Sequence, residues 1–166
     1  NVIEAIGETP AATRELWRYL LGIDWVAEIH CELLSIDHPL FLLVQRPNRL
    51  HWHVVDGLWL RLVDVGAALS ARAVTGAGRV TFDVAPDPIF QDNAGTWTVE
   101  AGSAKRSRRR ADVRLDVQAL ASAYLGGFTF VELARAGRIE EVARGGIARA
   151  DALYGVDVKP WCPEIF

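Results

Sequence analysis

Beyond Asp56-Gly57 the chain is built from short runs in which alternate residues are apolar, and that period decides what it can fold into. Val80, Phe82 and Val84 share one face of an extended segment, and Trp97 and Val99 share a face of the next. Ala111, Val113, Leu115 and Val117 do the same once more, and Leu58 to Asp64 reads as a further strand. Each run has a single apolar side. Strands of that kind suit an antiparallel sheet with one face buried under helices.

The helices are marked by their ends. Asp64 is placed to cap a helix from Val65 to Arg72, and Asp116 to cap one from Val117 to Leu125 that buries Leu120, Ala121, Tyr124 and Leu125. Thr129 followed by Glu132 forms a capping box for Phe130 to Ala136, ended by Gly137. Glu140 to Tyr154 reads as a broken helical stretch, interrupted at Gly145-Gly146.

Earlier in the chain, Val2 to Ile6 suits a short strand. Thr9-Pro10 opens a helix over Ala11 to Leu21, with Leu16, Tyr19, Leu20 and Ile23 at helical spacing and Gly22 as its stop. Trp25 to Leu34 alternates as a strand. Pro39 to Gln45 has no decisive period, and Arg46 to Arg49 is a turn.

The chain has 166 residues, 51% hydrophobic and 23% charged, which is the composition of a globular protein rather than a disordered one. A formal charge of −3 argues against bulk attraction to nucleic acid. Arg or Asp interrupts every apolar run before it reaches membrane-spanning length, so no membrane partner and a cytoplasmic location are expected. There is no Met, and Asn1 does not look like a processed start; a truncated chain is expected. Cys31 and Cys162 are too few and too distant for a disulfide framework and are expected as free thiols.

The run Asp56-Gly57-Leu58-Trp59-Leu60-Arg61-Leu62-Val63-Asp64-Val65, then Ala67 to Arg72, the segment Tyr124-Leu125-Gly126-Gly127, and the tail from Trp161 to Phe166 together resemble the Enhanced intracellular survival (Eis) family of acetyltransferases. The resemblance runs from about Ala12 to Phe166 and corresponds to the last part of a family member. It implies an α+β fold in which residues 1–53 are the C-terminal remnant of a second GNAT-like domain and residues 54–166 a sterol-carrier-protein-like domain. It also implies transfer of an acetyl group from acetyl-CoA to a primary amine such as an aminoglycoside. The implied partners are the N-terminal GNAT domains of the parent chain, further copies in a homo-oligomer, and the amine. Acetyl-CoA belongs to the parent enzyme, and by itself this chain is expected to hold no cofactor and to be inactive. Two alternatives stay open: a lipid-binding sterol-carrier-like domain, and a structural oligomerisation domain.

Site residues follow from the same tail. Lys159-Pro160-Trp161-Cys162-Pro163-Glu164-Ile165-Phe166 carries two prolines and two aromatics, which read either as a staple or as a device that places the terminal carboxylate. The resemblance assigns the base to the α-carboxylate of Phe166. Asp56 is either a turn residue or, by resemblance, part of an acidic acceptor pocket, and Glu164 has a similar claim. In family members where the acidic residue directly precedes the terminal aromatic the geometry differs; here Ile165 intervenes.

Other clusters carry less. Lys105, Arg106, Arg108, Arg109 and Arg110 read as an exposed turn or inter-subunit contact, without the interleaved aromatics that nucleic acid would use. His30, Cys31, His38, His51 and His53 lack zinc-ligand spacing, so no metal is expected. No nucleotide loop or nucleophile elbow is present.

Overall fold

The computed structural model describes residues 1–164. It divides into two compact units: residues 1–58 together with residues 159–164, and Trp59–Val158.

In the first unit, helix α1 spans Pro10–Leu21. Thr9 Oγ1 accepts the Ala12 N–H at 3.1 Å, and Pro10 opens the helix where its missing N–H costs nothing. The buried face is Thr13 and Trp17, with Leu16 and Leu20 beside them, rather than the Leu16–Tyr19–Leu20–Ile23 face that spacing suggested. Tyr19 is 71% exposed. Trp17 decides the orientation: it is the largest side chain on the helix, it is buried against Ala5 and Leu40, and Tyr19, two positions on, is carried to the opposite side. A single turn, α2 (Leu40–Leu43), fills the segment that periodicity left unassigned, and Pro47–Arg49 is a 3-10 turn.

The expected strands of this unit are not formed. Val2 and Cys31 make one parallel bridge, with Val2 N–H on the His30 carbonyl at 2.7 Å, and no ladder extends from it. Trp25 has a positive φ of 66° and is fully exposed, so 25–34 does not run as a strand. The segment 58–64 is also not a strand, and Trp59 is 83% exposed. A strand exists only as a member of a ladder, and alternation without a neighbour to pair with leaves the backbone to solvent.

The second unit is a five-stranded sheet in the order β3-β2-β1-β4-β5, from β1 (Arg79–Val84), β2 (Gly95–Glu100), β3 (Ser103–Arg106), β4 (Val113–Leu115) and β5 (Ile139–Glu141). It is mixed, not antiparallel: β1 pairs β4 in parallel, Phe82 opposite Val113 and Val84 opposite Leu115. The hairpin β2-β3 occupies one side of β1. After β3 the chain crosses back to the other side and runs with β1 rather than against it. Alternation gives the buried face of a strand but says nothing about its neighbour's direction. β5 falls in the stretch that read as broken helix; Ile139 pairs with Leu115 and Glu141 with Val113, so pairing overrides the local pattern at 139–141.

Val80, Phe82 and Val84 lie on the buried face, as their alternation predicts. Packed with them are α3 (Val65–Ala71), α4 (Val117–Tyr124), α5 (Phe130–Arg135) and α6 (Gly146–Tyr154) through Val65, Leu69, Leu120, Phe130 and Leu153. Asp64 and Asp116 cap α3 and α4 through the Ala67 and Ala119 N–H groups, and the Thr129–Glu132 capping box is formed. Asp151 adds a second cap on α5, accepting from Phe130 N–H at 2.6 Å and Val131 N–H at 3.1 Å. Gly66 is required by contact: a Cβ there would sit 2.5 Å from the Trp97 ring. The opposite face of the sheet is polar, with Arg114 bridging Asp83 at 2.9 Å and Glu140 at 2.7 Å across three strands.

One buried polar knot fixes the entry to α3. Asn93 accepts the Val65 N–H at 2.8 Å and donates to the Leu62 carbonyl at 3.2 Å and to Asp87 Oδ2 at 2.9 Å. Its own carbonyl accepts Trp97 Nε1–H at 3.0 Å. Asp87, whose side chain is fully buried, also takes the Ile89 N–H at 2.9 Å and pairs with Arg61. Burial pushes the Asp87 carboxyl up, but the Asn93 amide, the Ile89 and Phe90 N–H groups and the Arg61 charge together hold it below the usual carboxylate range.

A carboxylate whose folded pKa is depressed contributes stability that is fully present above the unfolded value of about 4 and is lost as pH falls through the folded value. The urea midpoint of the protein is therefore expected to drop below about pH 4, and the Asp87→Asn variant to show a shallower acid limb. Acid limbs that superimpose would exclude Asp87 as a contributor.

Candidate functional site

Of the sequence-derived site residues, Asp56 and Glu164 fall in the first unit. Asp56 lies in the irregular segment 51–62, whose backbone pairs with no strand; it is exposed, and its carboxylate has no hydrogen-bond or ion-pair partner among the described residues. Glu164 is exposed too, and its carbonyl receives only a long contact from Cys162 Sγ at 4.0 Å. No hydrogen bond joins Asp56 to Glu164 among the described residues. Phe166, assigned the base, lies outside the described residues. Two solvated carboxylates with no partner among the described residues suit attraction of a cation.

The tail packs with the first unit, and its residues Cys162 and Pro163 are half-buried. The Lys159 N–H donates to Asp37 Oδ2 at 2.8 Å, a tie spanning most of the chain. Burial pushes the Asp37 carboxyl up, but the Lys159 N–H, the Ser35 hydroxyl and the Lys159 charge outweigh it and hold the group below its ordinary range.

Asp37 stands in a tight turn closed by His38 N–H on the Ser35 carbonyl at 3.0 Å. His38 Nδ1 accepts the Leu40 N–H at 3.1 Å, and its ring meets Trp17 edge-on at 5.6 Å. Burial lowers the His38 pKa, offset in part by Asp37. Sequence reading missed Asp37. The available signal was Ser35-Ile36-Asp37-His38-Pro39, a turn composition ahead of a proline, which marks a turn but not what its carboxylate holds.

The remaining clusters resolve differently. Lys105 and Arg106 lie on β3 rather than in a turn, and the connection follows them. Arg106 donates to the Asp92 and Ala94 carbonyls and lies over Trp97, 4.6 Å from the ring centroid; Arg110 reaches the Val142 carbonyl at 3.4 Å. Part of the basic run is thus used to tie loops to the sheet. Among the described residues, no group of three or more His, Cys, Asp or Glu is placed to hold a metal, and no helix is long and apolar enough to cross a membrane.

The chain's two glycine pairs lie at helix ends, one after α4 and one at the start of α6. Gly126 is in the left-handed region at the end of α4, against Val156. At the α6 start the Ile147 N–H is taken by Glu141 at 3.2 Å, and the Asp112 backbone packs against Gly146. Lipid carriage would need an apolar tunnel between sheet and helices. Part of that space holds Phe82, Phe130 and Tyr154, with ring centroids 5.4 Å apart for the phenylalanines and 5.9 Å from each to the tyrosine.

Comparison with known proteins bears on both units. The family described as "Sterol carrier protein domain" matches residues 65–163, and the "Acetyltransferase (GNAT) domain" family matches residues 1–62. The crystal structure of Eis1 from Mycobacterium abscessus superimposes with a TM-score of 0.86 at 36% identity, covering 99% of this chain and 42% of that one. Over residues 65–163 the chain belongs to the sterol carrier protein domain family, and across its length it is similar to Eis-type N-acetyltransferases.

Two curated relatives of this Eis-like chain agree. An uncharacterized N-acetyltransferase of Streptomyces avermitilis is 38% identical over 165 residues, 97% of this chain and 39% of the relative. N-acetyltransferase Eis of Mycobacterium tuberculosis H37Ra is 30% identical over 162 residues, 95% of this chain and 39% of the relative. The Eis-like chain thus spans about two fifths of the length of the curated relatives it matches.

Proposed function

We propose that this chain supplies the acceptor side of an acetyl-CoA-dependent N-acetyltransferase acting on primary amines, with polycationic aminoglycosides as the acceptor class. The observation that carries the reading is the match to Eis1 over nearly the whole of this chain. The segment 51–62, rich in strand-forming residues yet without a ladder, supports a companion proposal for domain organisation. Residues 1–53 form part of an acetyltransferase domain whose remaining strands would pair there, and residues 54–166 form the sterol-carrier-like domain. The same protein is proposed to be cytoplasmic and homo-oligomeric, without nucleic-acid or membrane partners.

The amine must lose a proton before its nitrogen can attack a thioester carbonyl. Acetyl-CoA supplies the acetyl group when bound to the acetyltransferase domains, and no step through it is assigned to this chain. The Phe166 carboxylate takes the amine proton as general base. Asp56 and Glu164, both solvated and unpaired, draw the polycation by charge and hold it next to that carboxylate. Proximity and charge thus come from this chain, and the acyl group from its partner domains.

The test has two arms. The enzyme containing this chain, given acetyl-CoA and an aminoglycoside, is expected to yield the N-acetylated product by mass spectrometry. The chain by itself, titrated calorimetrically with acetyl-CoA, is expected to show no saturable binding. No product in the first arm removes the proposed activity; micromolar binding in the second moves the cofactor site into this chain.

A further inference from the structure

We propose that His38 is a proton-operated latch: its neutral imidazole holds the α2 turn against α1, and protonation releases it. The latch is set by which ring nitrogen is used. His38 Nδ1 lies 3.1 Å from the Leu40 nitrogen, and a backbone N–H can only donate, so Nδ1 is the acceptor and carries no proton. The ring's own proton is then on Nε2. A further proton has only Nδ1 to go to, where it would face the Leu40 N–H as donor against donor. Protonation and this hydrogen bond therefore exclude each other.

The bond sits where two elements meet. Leu40 opens α2, is buried, and shares a core with Ala5 and with Trp17 of α1. The His38 ring rests edge-on against the same Trp17. Pro39 and Leu43 line a cleft of about 400 Å³ together with Thr9, Thr13 and Arg14 from the start of α1. Releasing the Leu40 N–H frees the first residue of α2, and with it the side of the cleft that Pro39 and Leu43 supply.

The charges around the ring decide the pH at which this happens. Burial lowers the His38 pKa, and the neighbouring Asp37 carboxylate offsets part of the effect. Asp37 is itself engaged by the N–H and the charge of Lys159. Trp17 brings no charge, and Glu8 and Arg14, which line the cleft with Pro39, are of opposite sign. A histidine whose folded pKa is depressed contributes its hold in full above the unfolded value of about 6.5, and loses it as pH falls through the folded value. The latch is closed at neutral pH and opens in mildly acid solution.

Hydrogen exchange of the full enzyme tests the latch, read by mass spectrometry over residues 38–44 and corrected for the intrinsic pH dependence of amide exchange. Loss of a hydrogen bond at a buried donor predicts about 5- to 150-fold less protection once His38 is protonated. The fall should follow the titration of His38 itself, measured in the same protein from exchange of its imidazole C2 hydrogen. In His38→Asn the side-chain oxygen stands where Nδ1 stood, accepts the same N–H and does not titrate, so protection should stay high throughout. His38→Gln carries its amide too far out to reach Leu40, and protection should be low at every pH. Wild-type protection that stays flat while His38 titrates overturns the proposal. A fall in His38→Asn equal to that of wild type assigns the switch to another group and overturns it too. His38→Gln protected as well as wild type at neutral pH would remove Nδ1 as the holding acceptor.

Discussion

Adding a single residue after Phe166 in the full enzyme is expected to lower kcat on an aminoglycoside by about 10²–10⁴-fold without changing the melting temperature. One residue moves the terminal carboxylate by roughly 3.5 Å. A general base has to lie about 2.6–3.2 Å from the proton it removes, so a displacement of that size takes it out of reach. Neither Asp56 nor Glu164 is expected to substitute. Both are exposed side chains, and in the proposed reading they attract the amine by charge rather than act as its base. The melting temperature separates the two roles open to the tail. The Lys159 N–H bonded to Asp37 and the half-buried Cys162 and Pro163 hold it independently of the last atom, so the extension should not loosen the fold. Loss of stability with the rate retained would make the tail a staple and remove the base.

The second large effect is on stability. Asn93→Leu is expected to cost the second unit a substantial fraction of its folding free energy. Leucine has nearly the same shape, so the loss is one of hydrogen bonds rather than of volume. The Val65 N–H and the Leu62 carbonyl would each be left buried without a partner, at about 1–3 kcal/mol apiece. Asp87 would lose an amide donor while remaining buried beside Arg61. Against a typical domain stability of about 5–15 kcal/mol, the variant should unfold at markedly lower denaturant, with an unchanged m-value. Asn93→Asp is a useful companion: it keeps the acceptor for Val65 but sets a second carboxylate against Asp87, and should fare worse than its size suggests. A midpoint within error of wild type for Asn93→Leu would show that the knot is dispensable.

What the sequence alone determined is local. The caps at Thr9, Asp64, Asp116 and Thr129 set helix starts that the structure reproduces within a residue, because a cap involves residues only three apart. The buried face of β1 was legible because Val80, Phe82 and Val84 alternate and nothing else competes for them.

Tertiary structure decided the rest, because those outcomes depend on residues far apart in the chain. The parallel pairing of β1 with β4 depends on which neighbour reaches β1, not on the alternation in either strand. Strand β5 took residues from a helical-looking stretch because Leu115 and Val113 offered a ladder. Residues 25–34 and 58–64 have the strand pattern and no ladder, since alternation supplies a face but not a partner. Asp37 and Asp87 look like turn residues in isolation. Their partners, Lys159 in one case and Asn93 with Arg61 in the other, arrive only when distant segments fold together, and it is that arrival that turns a turn aspartate into an anchor.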